Sequence, residues 1–226
     1  MFTTTYPTAT EVNQAMGRVY AYMGLAVFAS MFVSWFVGSD PALVQYFFTG
    51  VTLWIVTLAP IAAVFFVVPA IAAEPPKSVA ILLLVGFASL MGLSLSVVFA
   101  VYTSMSIVSA FMGAAVLFAV MSVYGYFTRT DLSHVGQMAT VALIAIIIAS
   151  IINIFIGSTL MQMIISAIAI VIFLALTAYD TQTIREMVSN GESSNGVEVL
   201  GALTLYLDFI NLFINLLSIF GVKSDD

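Results

Sequence analysis

The chain has 226 residues, of which 62% are hydrophobic and only 7% are charged, and its mean hydropathy is +1.17. Soluble domains carry roughly 25% charged residues, so this composition excludes a soluble protein and indicates an integral membrane protein. The net charge of -6 comes without a basic patch, which argues against a nucleic-acid partner, and the absence of cysteine excludes disulfides, thiolate metal sites and cysteine nucleophiles.

Seven apolar blocks follow one another along the chain, each near the ~20 residues that a helix needs to cross ~30 Å of hydrocarbon. Their residues are continuously apolar and do not alternate between apolar and polar, so the blocks predict helices and not the strands of a barrel. We place the spans at residues 18–38, 45–69, 78–102, 106–127, 136–157, 159–180 and 200–220. In the second span, Pro60 predicts a kink and Pro69 predicts the end of the helix. Residues 18–221 are therefore expected to form a single seven-helix domain between tails at 1–17 and 222–226.

The basic residues predict the orientation of this bundle. Arg18, Lys77, Arg129 and Arg185 fall on one side of the predicted membrane, and Lys223 falls on the other. The positive-inside rule then places the N-terminus in the cytoplasm and the C-terminus outside.

The seventh span carries a carboxylate, Asp208, in its first half. A charge at the centre of a bilayer costs about 2.5 to 3.5 kcal/mol on insertion scales, so such residues are usually functional. Steps of three and four residues connect Asp208 with Thr204, Asn211 and Asn215 on one helix face, whereas the other faces are apolar. This polar stripe predicts that the seventh span faces protein or water and lies centrally in the bundle. An interhelical hydrogen-bond seam explains the asparagines equally well, but it explains the carboxylate poorly.

A second carboxylate, Asp180, lies at the end of the sixth span. Asp180 precedes Ser194 by fourteen residues and Asp208 follows Ser194 by fourteen, and Ser194 is in the middle of a polar loop. In an antiparallel hairpin that turns there, with the sixth span helical past Arg185, both aspartates reach the same depth. We therefore expect Asp180 and Asp208 to face each other.

Two carboxylates in one poorly hydrated site cannot both be ionised freely, so we expect the pair to share a proton. The pair is then closed when protonated and separates when both groups are charged, which makes it a candidate pH sensor. Its oxygens also make it a candidate weak Ca²⁺ site, provided that backbone carbonyls or waters supply the remaining ligands.

Three stretches resemble the Bax inhibitor-1 (transmembrane Bax-inhibitor-motif) family and its bacterial YccA-like branch. They are "FAVMSVYGYFTRTDLS" from Phe118, "AYDTQTIREMV" from Ala178 and "LYLDFINLFINLLSIFG" from Leu205. The resemblance implies an all-α fold of seven transmembrane helices, in which the C-terminal helix is central and wrapped by two three-helix layers. It also implies a pH-sensitive calcium leak in the bacterial inner membrane, gated by Asp180 and Asp208, with Ca²⁺ as the transported ion and no cofactor. YccA-like members are further associated with the FtsH membrane protease through an N-terminal tail, here residues 1–17.

This chain departs from the family pattern at two places. Some members have an arginine latch on the second span, but residues 45–69 contain no basic residue. The closing interaction is then a proton shared by the aspartates, a backbone or polar contact, or the more distant Arg185. Many relatives also have an arginine where this chain has Ser218.

Other functions compete with a leak channel. Intramembrane aspartyl proteases also use two aspartates on adjacent helices, and Tyr179 with Asp180 matches half of their signature. The other half is missing, because "LYL" precedes Asp208 where GxGD glycines are required, so we expect no enzyme. A regulator of an FtsH-type protease without transport of its own is the main alternative, and the lack of an evident inverted repeat argues against a secondary transporter.

Overall fold

The computed structural model describes residues 7–191 and 194–224, and these residues fold into nine helices. In chain order they are α1 (Ala9–Gly38), α2 (Pro41–Phe47), α3 (Gly50–Ala72), α4 (Lys77–Leu95), α5 (Val97–Val101), α6 (Ser104–Phe127), α7 (Ser133–Ile156), α8 (Thr159–Ser189) and α9 (Asn195–Phe220). Seven segments, with α4 and α5 counted as one, are long and apolar enough to cross a membrane. The expected all-helical fold with seven membrane-length helices is confirmed.

The C-terminal helix is the most buried of the seven. In its most apolar 18-residue stretch 56% of the residues are buried, against 33% or less in each of the other six spans. Since more than half of these residues are buried, other parts of the protein must pack against α9 on several of its sides. The expectation that the C-terminal helix is buried and packed against other helices is thereby confirmed.

Two helices extend beyond the apolar blocks that the sequence predicts. α1 begins at Ala9, before the predicted span, since Thr8 and Glu11 form a capping box. Residues 9–17 of the predicted tail are therefore helical, and residues 1–6 of that tail lie outside the described part of the chain. α8 continues to Ser189, well past the apolar block, as the hairpin argument requires.

The predicted second span was wrong at both ends. Residues 41–47 form the separate helix α2, capped by Asp40, whose carboxylate accepts the Ala42 N–H at 2.8 Å. A new helix, α3, starts at Gly50, whose φ of 59° breaks the helical path and suits a residue without Cβ. At the other end α3 runs through Pro69 to Ala72, because a proline removes one hydrogen bond without ending a helix whose neighbours still support it.

The described residues divide into two compact units. The first contains α1 to α5, α8 from Ile184 onward and α9 as far as Tyr206. Here α1 packs closely on α4, because a Cβ at Gly92 would lie 2.4 Å from the Ser30 carbonyl oxygen, and the Ser34 hydroxyl donates to the Gly92 carbonyl at 2.7 Å. Tyr206 of α9 packs edge-on against Phe87 of α4.

The second unit contains α6, α7, α8 as far as Thr183 and α9 from Leu207 onward. Its core is aromatic: Phe111 and Phe118 of α6 make edge-to-face contacts with Phe209 of α9, at centroid distances of 5.3 and 5.9 Å. Between α6 and α7, Asp131 accepts the N–H of Ser133, the first residue of α7, at 2.8 Å. The hydrogen bonds from Ser133 also hold the pKa of Asp131 below its ordinary value.

Candidate ion site

The second unit brings together the two aspartates that the sequence singles out. Asp180 on α8 and Asp208 on α9 have carboxyl groups within hydrogen-bonding reach of each other. Asp208 is only 4% exposed, and Asp180 is partly buried. The antiparallel arrangement of α8 and α9 therefore puts both carboxyl groups at one level in the interior of the helices.

A shared proton is the chemical requirement of this contact. An ionised carboxylate only accepts hydrogen bonds, so two ionised groups in contact repel, whereas one proton between them makes a donor and an acceptor. The Oδ2 atom of Asp208 is buried and meets no N–H or O–H donor among residues 7–191 and 194–224. A proton between the two carboxyl groups would give this buried oxygen a hydrogen-bond partner.

Close packing of α6 and α7 fixes the part of α8 that immediately precedes Asp180. A Cβ at Gly125 of α6 would lie 2.1 Å from the carbonyl oxygen of Ala178, and a Cβ at Gly136 of α7 would lie 2.4 Å from the ring of Tyr179. Only glycine permits these approaches, so α6 and α7 hold the backbone immediately before Asp180.

Polar contacts hold the residues immediately after Asp180. The hydroxyl groups of Thr181 and Ser122 are hydrogen-bonded at 3.1 Å. The Gln182 amide accepts the Leu132 N–H and donates to the Thr130 carbonyl, each at 2.9 Å, and so binds the connection between α6 and α7. Asp180 is thus presented from a rigid part of the second unit.

The pair offers few ligands to a metal ion. Within the described residues no group of three or more His, Cys, Asp or Glu side chains is arranged to hold one. Ca²⁺ takes 6–8 oxygen ligands, so two carboxyl groups can supply only part of its coordination shell and the rest must come from backbone carbonyls or water. Among the described residues, the two carboxyl groups could hold a cation only together with such additional ligands.

The supporting residues of the predicted stripe occupy different environments. Asn211 and Asn215 are partly buried, and their side-chain amides donate to the Leu207 and Asn211 carbonyls one turn earlier, each at 2.8 Å. Thr204 is exposed. Among the described residues, the asparagines therefore do not form the interhelical seam that the sequence left open.

Arg185, the predicted latch residue, is partly buried on α8. It follows Asp180 by five residues, and five residues correspond to about 140° around an α-helix. The two side chains accordingly leave α8 on different sides, and the role of Arg185 as a latch stays a prediction.

The sequence argument did not identify one buried ion pair. Glu198 lies in the first turn of α9, is 4% exposed and forms an ion pair with Arg18 of α1 at 2.6 Å within the first unit. The signal in the sequence was weak: both residues fall on the side predicted to be cytoplasmic, but 180 positions separate them.

Comparison with known proteins agrees with this architecture. The family model described as "Inhibitor of apoptosis-promoting Bax1" matches residues 12–225. The inner membrane protein YbhL of Escherichia coli strain K12 is 38% identical over 211 residues, which cover 91% of this chain and 90% of the relative. YrjE of Lactococcus lactis is 37% identical over 93% of this chain and 92% of its own length, and a Deinococcus radiodurans protein is 34% identical over 94% of this chain and 92% of its own length. The chain therefore belongs to the Bax inhibitor-1 (YccA-like) family of membrane proteins.

Proposed function

We propose that this protein is a passive, pH-sensitive cation leak, with Ca²⁺ as the preferred ion, in the inner membrane of a bacterium. The observation that carries the proposal is the contact between the Asp180 and Asp208 carboxyl groups inside a bundle of apolar helices. Intramembrane carboxylates are costly and typically mark ion or proton pathways. The printed name of the relative YbhL supports the inner membrane as the location.

The gate works through the proton that the pair shares. At acidic pH the proton joins the two groups and keeps α8 and α9 together around the site. At alkaline pH the proton leaves, and two negative charges in a poorly hydrated site repel each other. Separation of the groups opens the site, so the leak increases as the pH rises.

The charge of the deprotonated pair accounts for a preference for divalent cations. Two carboxylates carry a charge of about -2 when the proton has left, which matches one Ca²⁺ better than one monovalent ion. Because the pair supplies only part of a Ca²⁺ shell, the ion keeps several waters and leaves again. Weak binding of this kind is what conduction requires.

Reconstitution into liposomes loaded with a calcium-sensitive dye tests the proposal. The wild-type protein should release or admit Ca²⁺ faster at alkaline than at acidic pH. Asp180→Asn and Asp208→Asn should each remove or fix this pH dependence, because an amide cannot lose the proton. Asp131→Asn is the matched control, since Asp131 is exposed in the connection between α6 and α7 and should leave the pH dependence unchanged. Normal pH dependence in both pair variants would refute the mechanism.

Regulation of an FtsH-type membrane protease is the second candidate function. The family resemblance implies that the N-terminal tail, and not the aspartate pair, contacts the protease. α1 begins at Ala9 and buries Val12, so a deletion that tests the tail without damaging the helix should remove residues 2–6 only. Loss of protease modulation with intact Ca²⁺ flux would show two separate activities, and unchanged modulation would exclude this segment as the contact.

We propose no enzymatic activity. The facing aspartates share the arrangement of an aspartyl protease, in which one group acts as a general base. However, Leu205, Tyr206 and Leu207 precede Asp208 and leave no glycine-lined approach for a substrate strand. Cleavage of a membrane peptide that stops in Asp208→Asn would overturn this conclusion.

A further inference from the structure

One face of α9 remains polar and incompletely covered from Asp208 toward the C-terminal end of the helix. Asn211, Asn215 and Ser218 follow Asp208 at steps of three and four residues and therefore lie within about 80° of one another. All three are partly buried, as are Ile214 and Ile219, which flank this face. The apolar residues on the opposite sides of α9 are buried, namely Phe209, Leu212, Phe213, Leu216 and Leu217. The polar side of this half of α9 is thus also its more open side.

In the described part of the chain, each asparagine on this face makes one of the four hydrogen bonds that its side chain can form. Their Nδ2 groups donate to carbonyls of α9 itself. No donor in the described part of the chain bonds to either amide oxygen, although each can accept two hydrogen bonds. Polar oxygens left against hydrocarbon cost several kcal/mol each, whereas water satisfies them without cost.

The face ends in a polar cluster between helices of the second unit. Ser166 of α8 donates to the Ser218 hydroxyl at 3.1 Å, and the Gln162 amide lies 3.5 Å from the Ser166 hydroxyl. Asn153 of α7 donates to the Gln162 amide oxygen at 3.3 Å and also binds Ser158 in the turn between α7 and α8. Through this cluster, polar groups continue from the α9 face to the connection between α7 and α8. Because that connection joins two membrane-length helices, it is expected at the membrane surface.

We propose that Asp208, Asn211, Asn215 and Ser218 line a water-filled track that leads from the aspartate pair to the membrane surface at which α9 ends. This surface is the one that the basic residues predict to be outside. Beyond Asp208 the side chains of the track are neutral and carry amide and hydroxyl oxygens, which can replace waters around a cation without trapping it. The identity of the ion that moves along the track rests on the proposed leak. The presence of water in the track does not, because water can be detected without measuring ion flux.

Cysteine accessibility gives that test, since the chain contains no cysteine and each variant introduces a single thiol. Asn211→Cys, Asn215→Cys and Ser218→Cys are made in the full-length chain and exposed to a membrane-impermeant, positively charged methanethiosulfonate in right-side-out and inverted vesicles. All three should react from the side where α9 ends, and Ser218→Cys should react fastest because it is closest to that surface.

Two controls separate water from lipid and from protein at the same depth. Leu212→Cys lies between Asn211 and Asn215 but on the buried side of α9. Val171 of α8 is 66% exposed in the apolar part of the helix, and the contact of Ser166 with Ser218 places it near the level of Phe213 in the antiparallel neighbour. Asn215→Cys should react roughly tenfold or more faster than either control, because only the thiolate reacts and a thiolate does not form in hydrocarbon or in a packed core.

The deciding positions are Asn215 and Asn211, because Ser218 is close enough to the surface to react without a track. Reaction of both positions at the rate of Leu212→Cys or Val171→Cys would overturn the proposal. If one of the two variants fails to elute as folded protein, the other decides.

Flux measurements then distinguish the track from the leak itself. Modification of Asn215→Cys should block Ca²⁺ release from dye-loaded liposomes if both inferences hold. A wild-type protein without a pH-dependent leak would refute the proposed function even where labelling occurs, and an unreactive Asn215→Cys in a protein that leaks would refute the track alone.

Discussion

Arg18 of α1 holds Glu198 of α9 through three hydrogen bonds of 2.6 to 3.1 Å. The guanidinium group uses Nε and one terminal nitrogen, which is the bidentate geometry that makes such pairs specific. The two partners differ in solvent exposure, because the Glu198 carboxylate is buried while the Arg18 side chain is 41% exposed. The contact ties the start of the C-terminal helix to the first helix within one compact unit.

This difference in exposure predicts that removing Arg18 lowers the free energy of unfolding more than removing Glu198 does. Arg18→Gln removes the bidentate partner of a buried carboxylate, whereas Glu198→Gln leaves an arginine that water can reach. We expect Arg18→Gln to lower the free energy of unfolding by about 2 kcal/mol, less than the ~3–5 kcal/mol of a fully buried pair, and Glu198→Gln to cost less. Thermal unfolding in detergent measures both, and the double variant should be more stable than Arg18→Gln alone. Equal losses in the two single variants would contradict this asymmetry.

The shared proton of the aspartate pair should be visible in infrared spectra. An acid-minus-alkaline difference spectrum should contain a protonated carboxyl band that disappears in both Asp180→Asn and Asp208→Asn, because one proton belongs to the pair. Asp131→Asn should keep the band, since hydrogen bonds from Ser133 lower the pKa of Asp131 and keep it ionised where the pair titrates. Survival of the band in both pair variants would show that the proton is held elsewhere.

The approach of α6 to α8 predicts that Gly125 tolerates no side chain. The added methyl group of Gly125→Ala would lie 2.1 Å from the Ala178 carbonyl oxygen, so the helices must move apart. We expect a loss of about 1–3 kcal/mol, typical of overpacking, together with altered pH dependence of the leak. Gly113→Ala on the same helix is the control: its methyl group would lie 3.6 Å from Leu216 Cδ1, and alanine favours a helix by up to about 1 kcal/mol. Similar melting temperatures for the two variants would contradict the tight contact.

The hydrogen bonds of Gln182 predict that it protects the connection between α6 and α7. Gln182→Ala removes the contacts with Leu132 and Thr130, which lie beside the trypsin site at Arg129. Limited trypsin digestion of the detergent-solubilised protein should therefore cut after Arg129 several times faster in this variant, because local opening becomes easier. Gln137→Ala, at an exposed position of α7, should leave the rate unchanged. Equal rates in the two variants would show that Gln182 does not restrain the connection.

The proposed site illustrates how far sequence reasoning extends. Asp208 is conspicuous because a carboxylate is rare in an apolar block. Asp180 and Asp208 are each fourteen residues from Ser194, so an antiparallel hairpin that turns at Ser194 places them at the same depth. The same reasoning could not tell that Asn211 and Asn215 bond to their own helix, since an asparagine on a helix face can serve a neighbour or its own backbone equally well. It also did not predict that Thr204 is exposed, because that depends on where the neighbouring helices end.

Local sequence determined the membrane location, the seven helices and the candidate aspartates, because apolar length, helical spacing and a misplaced carboxylate are properties of continuous segments. Tertiary structure alone decided the contacts between distant segments: Arg18 with Glu198, Gly125 with Ala178, and Ser166 with Ser218. Each depends on which helix faces pack together, and packing is set by the shapes of whole helices rather than by the composition of any one. The break before α3 also escaped prediction, because Gly50 redirects the backbone inside a segment that the sequence analysis took as one continuous span.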